Sequence, residues 1–338
     1  MDSKIKEPVF NVDKIRENKY LVKRKLSEKE KKEVNLAINR IGKYSFVFLK
    51  SRLEGYNNRL SLFEELLNIY KKKTNTIKKD STDADKIKEI QSIKLDLLSK
   101  MFMIMEDLAY MSKACYKFRT EDEDICETYL NATQPDNIFE SFVRKNDCKR
   151  KIKRLMMYPD EKSEINNIIS DLNEKEKKEA WKHIQKSLNY IIETFNSAIE
   201  IFNDFKRIYN KYKHGLTQIY PYTCDGTEFN ISIPSNIKGE KQIKNYINKK
   251  IFRDVWLLDA QGENIQLKGP LNYSYEKINS VFNTTITNFA KLYKALVQIY
   301  LNWGKREAYL GFVMKSGSKN VPKKLGKKLK DSQYYVFE

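Results

Sequence analysis

Metal and thiol chemistry have little to draw on in this chain. Its 338 residues include two histidines, His183 and His214, and four cysteines, Cys115, Cys126, Cys148 and Cys224, with no CxxC pair among them. A structural zinc site needs clustered Cys and His ligands, so none is expected. The scattered cysteines read as reduced thiols. Cys224 sits in a turn-like stretch, 222–226, with no histidine near it in sequence, and so lacks the base that a thiol nucleophile uses. HExxH, GxxxxGK[ST] and GxGxxG patterns are missing as well, which leaves metalloprotease and phosphate-cradle chemistry unsupported. The expectation is a protein with no cofactor and no metal. Long apolar runs are also lacking. The densest, 44–49 and 101–105, fall far short of a bilayer span, and the first eight residues contain no apolar core of a secretory signal. A cytoplasmic protein with no membrane partner is expected.

What is abundant is positive charge. Lys and Arg total 64 against 45 Asp and Glu, for a formal net charge of +19, and apolar residues make up 41%, enough for a sizeable core. An excess of that size concentrates anions such as nucleic acid around the molecule. The chain is also rich in Lys, Asn and Ile and poor in Arg, so composition bias alone supplies many solvated lysines.

The pattern along the chain predicts a mainly α protein. Residues 1–26 read as a basic N-terminal arm, 27–310 as one helical domain with a small antiparallel β insertion at about 220–270, and 311–338 as a flexible basic tail. A first helix opens at Ser27, with Glu30 as its capping-box partner, and runs to about Tyr70 with a break near Gly55. A solvated linker (71–86) leads into a second helix from about Asp83 to Phe118, whose stretch 101–110 is apolar almost all round and belongs at the centre of the core. Short helices are expected over 119–172, with a basic cluster, Lys149, Arg150 and Lys151, that reads equally as a phosphate contact or an exposed helix face. Asn173 and Glu176 form a second capping box, opening the longest helix, which ends at His214 with Gly215 beyond it. Strands are expected at 228–233, 254–258 and 264–268, the last two joined by a turn over 260–263. A final helix covers 274–303. The three tryptophans, Trp181, Trp256 and Trp303, read as packing residues.

The end of the longest helix carries the chemistry. A spacing of seven returns a helical side chain to within about 20° of its starting direction, so Arg207 and His214 share a face with Asn210 beside them. The apolar stripe of that helix runs Leu188, Ile192, Phe195, Ile199, Phe202, Phe205, Tyr209 and Tyr212, placing Arg207 and His214 on its shoulder. The same shoulder holds Asn189, Asn196, Asn203 and Asn210 at seven-residue intervals, which is either a polar seam against another element or a reflection of abundant asparagine. Histidine exchanges protons near neutral pH, and arginine grips phosphate with a planar, permanently charged fork. RNA cleavage by internal transfer asks for these functions: a base for the 2′-OH proton, a cation for the charged phosphorane and an acid for the leaving 5′-oxygen. Lys211 and Lys213 add positive charge beside them. His214 could equally serve only as the cap of a helix C-terminus.

Arg207-(six residues)-His214, close to the end of a long helix in a helical setting, resembles the Arg-x(4–6)-His signature of HEPN domains, and the local text 209–215 is similar to members of that group. The resemblance implies a HEPN-like helical bundle and a metal-independent endoribonuclease of the kind found in toxin–antitoxin, abortive-infection and CRISPR-related defence systems. It implies Arg207 as the phosphate and transition-state contact and His214 as general acid and base. It also implies a homodimer in which the two motifs meet, and a protein partner such as an antitoxin. In the family the residue after the arginine is often polar; here it is Ile208, and Asn210 could supply the polar group. Glu106 or Asp107, each interrupting an apolar run, could be the supporting acid seen on a neighbouring helix, although a structural ion pair also explains a buried acid. Lys211, Lys213, Lys149, Arg150 and Lys151 are the candidate RNA contacts. The alternatives are a non-catalytic basic helical protein that binds RNA or a partner protein, and a regulatory HEPN-like subunit of a larger complex. The β insertion could act as a lid, a dimer arm or an RNA contact.

Overall fold

The computed structural model describes residues 10–16, 19–76, 84–144, 146–165, 172–214, 217–218, 233–253, 255–261, 264–271, 275–305, 310–313 and 334–337. It is a mainly α bundle built around one central helix. Helix α1 (Glu28–Ile41) opens with the expected capping box: Ser27 Oγ accepts from the Glu30 N–H, and the Glu30 carboxylate accepts from the Ser27 N–H. It stops at Gly42, whose φ of +82° suits a residue without a Cβ. Helix α2 (Lys43–Thr76) then runs straight through Gly55. The break therefore falls thirteen residues earlier than expected, because Gly42 makes the turn that brings Ser45 against Asp124, while the space around Gly55 is empty.

Helix α3 (Ala84–Glu121) is the hub. Met101, Phe102, Ile104, Met105, Leu108 and Ala109 are all sealed from solvent, as an all-round apolar stretch requires. Short helices α4 (Ile125–Leu130), α5 (Pro135–Val143) and α6 (Cys148–Leu155) pack on it, and a 3-10 turn (Lys162–Glu164) follows. Helix α7 (Glu174–Lys213) begins with the second predicted capping box, Asn173 with Glu176, and ends with His214 as its C-cap.

The insertion comes next. Strand β3 (Thr217–Gln218) pairs with β4 (Val255–Gln261), which forms an antiparallel hairpin with β5 (Asn264–Leu271). Ala260 pairs with Ile265 and Gln261 with Asn264, so Ala260 and Gln261, expected in the 260–263 turn, belong to the strand. Helix α8 (Glu240–Arg253) precedes the hairpin and was not anticipated, although Ile243, Tyr246 and Ile247 show helical spacing. The strand expected at 228–233 and the residue Gly215 lie outside the described residues. Helix α9 (Tyr275–Thr284) continues through a π-helical turn (Thr285–Ala290) into α10 (Lys291–Lys305). That wider turn presents the Thr287 carbonyl to α7, where the Tyr190 hydroxyl donates to it at 3.0 Å. No described helix is long and apolar enough to cross a membrane.

Two further strand pairs lie outside the bundle's helices. The N-terminal arm contains an antiparallel hairpin of β1 (Phe10–Arg16) with β2 (Lys19–Arg24). At the other end, Leu310–Val313 pairs in parallel with Tyr334–Phe337. The tail expected from 311 onward therefore begins inside the core: Phe312 and Val313 are buried, the Val313 N–H donates to Ser187 Oγ, and the Tyr158 hydroxyl donates to the Gly311 carbonyl. Burial of that apolar pair outweighs the polar character of the neighbouring lysine-rich stretch, 315–330, which itself lies outside the described residues.

This packing makes two predictions about stability. Gly304 on α10 lets α1 approach closely: a Cβ there would lie 3.3 Å from Ile41 Cδ1 and 3.4 Å from the Ala37 backbone. Gly304→Val is expected to cost about 1–3 kcal/mol through overpacking, read as a lower urea midpoint. His183 on α7 is buried beside Phe312, and its Nδ1 has no hydrogen-bond partner among the described residues. Burial pushes its pKa down, helped by Lys186 and Lys182 and opposed by Glu179. The unfolded chain, with an ordinary histidine near about 6.5, then binds the proton more readily than the native state. Stability is lost as pH falls through that value and on toward the lower native pKa. Between pH 7.5 and pH 5 the wild type should lose more urea resistance than His183→Leu does.

Candidate functional site

Helix α7 buries one broad face and exposes the other. Ile184, Leu188, Ile191, Phe195, Ala198, Phe202, Phe205 and Tyr209 form the middle of the buried face, and Tyr190, Ile201 and Ile208 widen it to one side. That widening rotates the open face. Arg207, Asn210 and His214 are all exposed, and Arg207 stands near the centre of the open arc, not on the shoulder of the apolar stripe. Asn189, Asn196, Asn203 and Asn210 are exposed too, so the polar seam is not packed against another described element of the same chain. Arg207 and His214 lie about 10 Å apart along the helix axis, with Asn210 between them.

The last turns of α7 are held on α3 by tyrosines. The ring of Tyr209 stacks on Phe102 at 4.4 Å and nearly parallel, and Phe102 meets Phe202 edge-on. Tyr212 donates its hydroxyl to Asp96, and burial together with that bond pushes the phenol up to about 12. Tyr209 is hydrogen-bonded to Glu106, and Lys213 acts on the same carboxylate. Burial raises the Glu106 pKa and neighbouring Asp107 adds to the rise, while Lys213 and Tyr209 work against it. Glu106 thus lies within electrostatic reach of Lys213, the residue before His214.

Asp107, one residue on, points elsewhere. It is buried and takes ion pairs from Arg52 and Arg59 and a hydrogen bond from the Tyr129 hydroxyl. Adjacent positions on a helix diverge by about 100°, so one acid meets the motif helix and the other meets α2 and α4. Lys213 is exposed and Lys211 half-buried at the same end of α7.

The second basic group is remote from the first. Lys149 and Arg150 are exposed on α6, and Lys151 is half-buried, donating to the Ser141 carbonyl at 2.8 Å. Asp147 lies 3.7 Å from both Arg150 and Lys151. Helix α6 packs against the opening half of α7, where Lys153 lies over the Trp181 ring. Trp181 is half-buried and packs against the core, as expected of it. Neither it nor Lys182 was singled out from sequence as a binding residue, though both fall on the border and open face of a helix whose period was plain. No group of His, Cys, Asp or Glu among the described residues could hold a metal ion.

No family model, no curated protein and no solved structure matches this chain.

Proposed function

We propose that the chain is a metal-independent endoribonuclease of the HEPN type. The observation that supports this most is the emergence of Arg207, Asn210 and His214 together on one exposed face at the end of α7. In this reading His214 takes the proton of a ribose 2′-OH and the freed oxygen attacks the adjacent phosphorus. The bond to the 5′-oxygen then breaks, and that oxygen is protonated by the imidazolium. Arg207 neutralises the charge that builds on the phosphorane, with Asn210 as an additional donor. The products are a 2′,3′-cyclic phosphate and a 5′-hydroxyl, and no metal takes part.

A second copy seated on the open face of α7 would bring two motifs together, so that one His214 can act as base while the other acts as acid. Such an enzyme fits a cytoplasmic defence or toxin effector restrained by an antitoxin or another protein partner. The same exposure also favours a second reading. Three polar residues on an open helix face suit a non-catalytic RNA-binding or regulatory subunit equally well.

Incubation with structured RNA in EDTA separates the two. Cleavage by the wild type with cyclic-phosphate ends is the expected result. RNA binding without cleavage leaves only the binding protein.

A further inference from the structure

A second charged surface lies at the opposite end of α7 from the Arg207–His214 motif. The open arc of α6 carries Lys149, Arg150, Lys153 and Arg154, and α7, packed beside it, carries Trp181 under Lys153 and, next in sequence, the exposed Lys182. Lys149, Arg154 and Lys182 are exposed and have no carboxylate within ion-pair distance among the described residues, and Arg150 has only Asp147 at 3.7 Å. Lys153 bridges the two helices, its Nζ donating to the Asp160 carbonyl at 2.7 Å and lying 5.0 Å from the Trp181 ring centre. Such a concentration of unpaired cations raises the energy of the free protein slightly and is relieved by a polyanion.

We infer that this surface is an RNA-anchoring site, separate from the motif and holding the same RNA strand. The inference rests on the ribonuclease reading for the identity of the polyanion. Two features of the surface favour RNA over an acidic membrane. The open arc of α6 has no apolar residue to insert between lipids, as an interfacial helix requires. A half-buried tryptophan with part of its ring open to solvent stands among the cations, and such a pairing holds single-stranded nucleic acid.

The helix sets the distance. Trp181 and Arg207 are separated by about 40 Å at about 1.5 Å per residue, Trp181 at the border of the open face and Arg207 near its centre. Glu193 and Glu200 are exposed between them, so the strand is gripped at two ends and not along a continuous track. At about 3.4 Å per stacked nucleotide, a strand needs roughly a dozen nucleotides to reach from one to the other.

The test uses the full chain with His214→Ala as background, so that RNA is bound but not consumed, and measures fluorescence anisotropy of a labelled 20-nucleotide single-stranded RNA over a range of salt concentrations. The triple variant Lys149→Gln/Arg150→Gln/Arg154→Gln is compared with a control triple, Lys25→Gln/Lys29→Gln/Lys32→Gln, which removes the same charge from exposed positions at the start of the bundle. The α6 triple is expected to bind roughly 10- to 100-fold more weakly at moderate salt. Its log affinity against log salt should be flatter by about 2, at about 0.7 per lost contact to single-stranded nucleic acid. The control should stay close to the parent, and a 6-nucleotide RNA should show little difference between the three. Equal binding by both triples overturns the site. So does an absence of RNA binding accompanied by capture on phosphatidylserine vesicles or on polyglutamate. The cleavage reading stands or falls apart from this result: RNA bound through α6 but left intact by the wild-type chain keeps the anchor and removes the enzyme, whereas cleavage with equal binding by the two triples does the reverse.

Discussion

His214→Ala will lower RNA cleavage by about 1000-fold, within the range for loss of a positioned acid–base group, with the fold left intact. The side chain is exposed, and the cap at the end of α7 is made by the backbone, whose N–H donates to the Asn210 carbonyl at 3.3 Å. Alanine keeps that bond, so the change in stability should stay within about 0.5 kcal/mol. Arg207→Ala should cost about 100- to 1000-fold, the scale for removing one donor that meets transition-state charge. Arg207→Lys should recover part of that loss and not all of it, because a lysine restores the charge and not the fork. Single-turnover rates checked beside urea midpoints distinguish this pattern from simple unfolding. Equal rates for the wild type and all three variants would place the chemistry elsewhere or remove it.

The second large effect belongs to stability. Asp107 closes a polar network inside the bundle, receiving Arg52, Arg59 and the Tyr129 hydroxyl, while Arg52 also donates to Tyr293 at 3.2 Å. Burial works against the Arg52 charge, but Tyr293, Asp107 and Tyr129 together hold its pKa above the usual value. Burial and the Asp107 carboxylate likewise push Tyr129 up. Removing the acid leaves a guanidinium that is only 21% exposed without its counter-ion. Asp107→Ala should therefore destabilise by about 3 kcal/mol, the lower end of the range for breaking a buried pair, because Arg52 keeps some contact with solvent. Arg59→Ala should cost under about 1 kcal/mol, since that side chain is 42% exposed and its pairing is screened. Chemical denaturation measures both. An Asp107→Ala midpoint within error of the wild type would show that the network contributes nothing net.

The two acids side by side on α3 also show where the sequence runs out. Both interrupt an apolar run, and both are equally eligible as a supporting acid on sequence grounds. Which one faces α7 depends on the crossing of two long helices, set by Phe102 fitting between Phe202 and Tyr209. The capping boxes at Ser27 and Asn173, the all-round apolar stretch of α3 and the hairpin over 255–271 were legible because each depends on residues close in sequence. The break at Gly42 was not, because Gly42 and Gly55 sit in similar helical text and only the contact of Ser45 with Asp124 separates them. Likewise, Phe312 and Val313 are too short an apolar pair to announce a core strand before Ser187 and Tyr158 are seen to hold them.

At the candidate site, sequence periodicity placed Arg207, Asn210 and His214 on one face, and they do share one. It missed how far that face turns outward. Tyr190, Ile201 and Ile208 lie to one side of the expected stripe, and their burial against neighbouring helices shifts the open arc toward Arg207. The shift leaves the motif exposed to solvent, which the proposed ribonuclease reading requires.

The most direct measurement concerns the attacking oxygen. Once a cleavage position has been mapped in a structured RNA, a single 2′-O-methyl group is placed on the nucleotide 5′ to that bond and the rate is measured in EDTA. Internal transfer has no nucleophile there, and cleavage at that position should stop while neighbouring positions continue. Undiminished cutting at the methylated nucleotide would mean that water or another group attacks the phosphate, and the roles given to Arg207 and His214 would not hold.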